Sequence, residues 1–158
     1  MRSIILIVLV MLTVIADSVA QPLESNMKSY LKVLLMNSIQ PNVEACITAV
    51  PDMKSAMLEE LAAANARVDL ALAIVAKTRG TELELSVPHL MLDSAKAFGI
   101  LANKLGSREI DRPQCDRLIS DPFSNVEVGE LQSLLESLIP EAMKVRAETT
   151  ATLNRLGK

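Results

Sequence analysis

Between Pro51 and Arg79 the chain places Met53, Met57, Leu61, Ala64, Val68, Leu72 and Val75 three or four positions apart. That spacing is the helical period and predicts one long helix over 51–79, with Pro51 at its first position and Gly80 as its stop. Inside it, the run LAAANARVDLALAIVA (61–76) is apolar on nearly every side. A helix of that kind is expected at the centre of a fold, covered by other elements. Ala62, Ala66, Ala73 and Ala76 add an edge of small side chains, where a second helix can approach closely.

The remaining segments supply that cover. Ala, Leu, Met, Glu and Lys, all strong helix formers, dominate the sequence. A first helix is expected from about Leu23 to Ile39, broken by Gln40-Pro41-Asn42. A short one follows over 42–50, with Val43, Cys46, Ile47 and Val50 on its apolar side. TELELSV (81–87) alternates polar and apolar residues, but a lone strand has no expected partner, so it reads as an extended connector. Pro88 opens a helix to about Leu105, with Met91, Ala95, Phe98, Ala102 and Leu105 inward. Ser107 is a candidate cap for a short turn, and Pro113 restarts a helical segment carrying Cys115, Leu118 and Ile119. The last helix spans 126–156. Its seam of Leu131, Leu135, Leu138, Ala142, Val145, Thr149, Thr152 and Leu156 alternates steps of four and three. Pro140 is expected to kink or split it. The seam is read as the inner face of a monomeric bundle rather than of a coiled-coil dimer. The fold class is therefore all-α: a compact antiparallel bundle of five or six helices with one disulfide, in a single domain over 21–158.

The N-terminal stretch bears on compartment. Arg2 precedes the apolar run Ile4–Ile15, and Ser18-Val19-Ala20 places small residues before Gln21. This is the three-part pattern of a secretory signal peptide over 1–20, and it implies an extracellular destination. The apolar run is too short for a membrane span of about 20 residues, so stable membrane anchoring is not expected. Loss of 1–20 removes Arg2 and Asp17, leaving the net charge of −3 unchanged. A mildly acidic chain without a basic cluster is a poor nucleic-acid ligand. With Tyr30, Phe98 and Phe123 as its only aromatic residues, it also has little to stack on bases.

Catalytic chemistry finds little support. His89 is the single histidine, with no supporting motif around it, and no G-x-S-x-G flanks any serine. Cys46, His89 and Cys115 have no metal-ligand spacing, so neither a metal site nor a cofactor is expected. In an oxidising lumen the two cysteines are expected to pair, joining the short second helix to the segment before the last one. Asn65 and Asp69 stand one turn apart on the most apolar helix. They read either as the polar end of an internal pocket or as the edge of the helix that meets water. In the first reading, Asn65, Asp69, Met57 and Leu72 form the candidate ligand-binding set. Two functions follow: a secreted, non-catalytic protein that binds an extracellular partner, or a carrier of a small apolar, lipid-like ligand in the bundle core. In neither is the protein an enzyme.

Overall fold

The computed structural model describes residues 25–106 and 110–157. The signal segment over 1–20, the helix start at Leu23 and the cap at Ser107 lie outside the described residues. So do the side chains of Ala102 and Leu105.

Six α-helices follow one another: α1 (Met27–Met36), α2 (Gln40–Ala49), α3 (Lys54–Leu83), α4 (His89–Gly106), α5 (Arg112–Ser120) and α6 (Val128–Leu156). They form a compact all-α bundle with an aliphatic core. Met57, Ala64, Val68, Leu72 and Val75 of α3, Met27 and Leu31 of α1, and Leu135 and Ile139 of α6 are all fully buried. The longest helix pair, α3 and α6, forms the most extensive contact. Local chemistry sets the boundaries. Asn26 accepts a bond from the Ser29 amide and opens α1. Asp111 and Gln114 form a reciprocal capping box that opens α5. Pro41 does not end a helix but sits in the first turn of α2, where its missing N–H has no intrahelical partner to lose. The break falls earlier, at Asn37–Ile39.

Other expectations are corrected. Gly80 does not stop α3. No glycine adopts a positive φ among the described residues, so the left-handed stop is not formed. The helix instead bends at Arg79 (φ −122°, ψ 22°) and continues until Leu83 is fully buried. The connector after it does find a partner: β2 (Ser86–Val87) pairs antiparallel with β1 (Ser25–Asn26), Ser25 opposite Val87. Nor is α3 covered all round. Ala63, Ala66, Leu70 and Ala73 face solvent, and alanine leaves little apolar area to hide. In α4 the inward face is Met91, Leu92, Ala95 and Gly99, while Phe98 is 67% exposed. Pro140, exposed, does not split α6. The helix runs through it, held by buried Ile139 and Ala142 on either side. The seam on α6 is the inner face only in its first half. Leu131, Leu135 and Ala142 are buried, whereas Thr152 and Leu156 are exposed.

Cys46 and Cys115 form a disulfide with their Cα atoms 5.6 Å apart, joining α2 to α5. Beside it Arg112 pairs with Asp52, and this guanidinium holds the Asp52 carboxyl below the usual carboxylate range. The loop between α5 and α6 is pinned to α3 by Glu60. Its carboxylate accepts from the Ser124 amide (2.9 Å) and hydroxyl (2.6 Å).

Candidate functional site

The helices α3 and α4 both pack against α1 and α2, but they share no extended contact with each other. Between them lies a groove of about 1070 Å³, open to solvent. Its floor is the α1–α2 corner, with Val33, Met36 and Pro41. One wall is α3, presenting Leu58, Leu61, Ala62 and Asn65; the other is α4, presenting Lys96, Gly99 and Ile100. Polar groups ring the apolar surface: Ser29, Lys32, Asn37, Gln40 and Glu44.

Each wall is fixed to the floor by a polar contact. On the α3 side, Lys32 Nζ lies 2.7 Å from one carboxylate oxygen of Asp69 and 2.8 Å from the other. On the α4 side, the Asn37 amide donates to the Ala95 carbonyl at 2.7 Å. Gly99 makes that second contact possible. It is buried, and a Cβ there would run into the Asn37 carboxamide. Gly99→Ala is therefore expected to destabilise the fold by about 1–2 kcal/mol, even though alanine is the better helix former by about 1 kcal/mol. Asn37→Ala removes the obstacle, so the double variant should recover part of the loss in a denaturation cycle. Simple additivity of the two changes would contradict the proposed close approach.

The four residues singled out in the sequence are not brought together. Asn65 is half-buried and lines the groove. Asp69 is exposed and forms the tie to Lys32. Met57 and Leu72 are fully buried in the core behind the α3 wall and do not line this groove. Sequence reasoning missed Leu58, Ile100, Lys32 and Lys96. One signal was present in Gly99: a glycine inside a helix costs about 1 kcal/mol and marks a place where something approaches closely.

The remaining reactive groups lie apart from the groove. His89 begins α4, half-buried, with its Nε2 enclosed and without a hydrogen-bond partner among the described residues. Both thiols are taken up in the disulfide. Burial pushes the Tyr30 hydroxyl above its ordinary range. No cluster of three or more His, Cys, Asp or Glu side chains placed to hold a metal occurs among the described residues. No helix among them is long and apolar enough to cross a membrane. What the groove offers chemically is aliphatic contact area, amides at Asn37, Gln40 and Asn65, ammonium groups at Lys32 and Lys96, and a carboxylate at Glu44. Comparison with protein-family models, curated proteins and solved structures found no match.

Proposed function

We propose that the protein is a secreted, non-catalytic binding protein that engages an extracellular partner through the groove between α3 and α4. The observation that carries this reading is the exposure of large aliphatic side chains on opposite walls: Leu58 at 45% and Ile100 at 61%. Phe98 and Leu101 of α4 are exposed as well, but neither lines the groove. Apolar patches of this kind, rimmed by polar groups, mark surfaces that another molecule covers. The secretory pattern before Gln21 and the disulfide both fit an oxidising, extracellular setting. The exposed threonine end of the α6 seam favours a monomer over a coiled-coil dimer.

The carrier reading draws on the same aliphatic lining, but an open groove leaves a small apolar ligand partly in water. The core residues expected to enclose such a ligand, Met57 and Leu72, are packed among their neighbours.

The test uses tagged protein returned to its native secretion. Leu58→Asp and Ile100→Asp should each reduce recovery of the partner about tenfold or more, the loss expected for truncating an interface anchor. Leu156→Asp, on the exposed helix end, should leave recovery unchanged. Melting temperatures of all three should match the wild type within a few degrees, because surface changes alter stability by roughly 0.5 kcal/mol or less. Equal recovery from all variants would refute the assignment to this groove. Stoichiometric lipid in an organic extract of the natively secreted protein would replace it with the carrier function.

A further inference from the structure

Resting on that reading, we infer that the partner enters the groove as a single amphipathic α-helix carrying an acidic residue at its edge. Two helices that pack on the same floor without an extended contact with each other leave a slot between them. A helix laid in it would rest on α1 and α2 and face both walls, the surroundings of any helix in a bundle, where axes lie about 8–10 Å apart. The length agrees. From Leu58 to Asn65 the α3 wall advances two turns, about 10 Å. That is the distance over which a helix presents anchors at i, i+3 or i+4, and i+7. The floor is apolar, as the buried stripe of such a helix requires.

Charge then selects among helices. Lys96 stands on the α4 wall, and none of the ion pairs among the described residues includes it. Lys32, on the α1 side, is held by Asp69, yet its side chain keeps a third of its surface exposed. The Asn65 amide on the facing wall has no hydrogen-bond partner among the described residues. A carboxylate flanking the apolar stripe would meet a cation on the α4 side, whereas a lysine or arginine there would face Lys96 and be repelled. Glu44 on the α2 rim disfavours a carboxylate on that side, so the acidic edge has to lie against the α4 wall beside Lys96, and this sets the orientation of the helix.

The experiment places a photoreactive benzoylphenylalanine at Leu58, at Ile100 and, as a control, at Leu156 of the full secreted chain. Each protein is irradiated in the native secretion and the adducts are sequenced. The expected result is that positions 58 and 100 react with one and the same segment. That segment should space its apolar residues by three and four and carry Asp or Glu beside them. A synthetic peptide of it should bind the wild type, and changing its acidic residue to lysine should weaken binding about tenfold. Lys96→Glu should then restore binding of the lysine peptide. Adducts on lipid chains, on a segment without helical spacing, or on residues 1–24 of this chain would overturn the inference. So would an affinity indifferent to the charge swap. If positions 58 and 100 react with a partner protein but not with one helically spaced segment, the helix inference fails and binding through the groove stands; if neither position reacts, both fail.

Discussion

Replacing Cys46 and Cys115 together by alanine should lower the stability of the protein by about 4 kcal/mol. The bridge closes a loop with a sequence separation of 69 residues, and the chain-entropy relation gives roughly that cost for releasing it. Alanine is the informative replacement because both sulfur positions are fully buried, and serine would add an unsatisfied hydroxyl there. The effect should be concentrated in α5. Cys115 is the one buried residue of that helix; its other attachments are half-buried Leu118 and the exposed Arg112–Asp52 pair. Exposed pairs contribute little. Urea denaturation should show the lowered midpoint, and amide exchange should show α5 losing protection ahead of α3. A loss below about 1 kcal/mol, or uniform exchange across the bundle, would refute this account.

The second large effect is Leu135→Ala, expected to cost about 2–5 kcal/mol, as truncations of buried leucines do. Leu135 is fully buried, on the face of α6 that packs against α3. Leu156 belongs to the same sequence seam but is 79% exposed, so Leu156→Ala should change stability by less than about 0.5 kcal/mol. The two leucines look alike in sequence, and denaturation of the two variants separates the half of the seam that packs from the half that does not. Similar losses for both would mean that the end of α6 is covered by something else.

This pair illustrates what could be read from the chain. Periodicity of three and four finds a helix and its apolar face, which is why the six helices, the α3 stripe and the first half of the α6 seam were legible. It carries no information about where neighbouring helices end, so the exposed half of the seam was not. The pairing of Cys46 with Cys115 followed from compartment and inward-facing neighbours, arguments that need no coordinates. Phe98 was placed inward because it falls on the stripe of Met91, Ala95, Phe98, Ala102 and Leu105, but the fold instead puts Gly99 against Asn37, and the ring turns outward. The groove was the least legible feature. It arises from two helices that share no extended contact, and the lack of one leaves no periodic trace. Of the four candidate residues, Asn65 lines it; Met57 and Leu72 carried the stronger apolar signal because they are core.

The separate attachment of the two walls has a mechanical consequence. Lys32–Asp69 secures α3 to α1, Asn37–Ala95 secures α4 to α1, and among the described residues no hydrogen bond or ion pair joins α3 to α4 directly. The helices are thus like two jaws mounted on a common base. Their opening is set by the helices they share, α1 with its contact to Gly99 foremost, and a change in the spacing between them need not break any hydrogen bond or ion pair across the mouth.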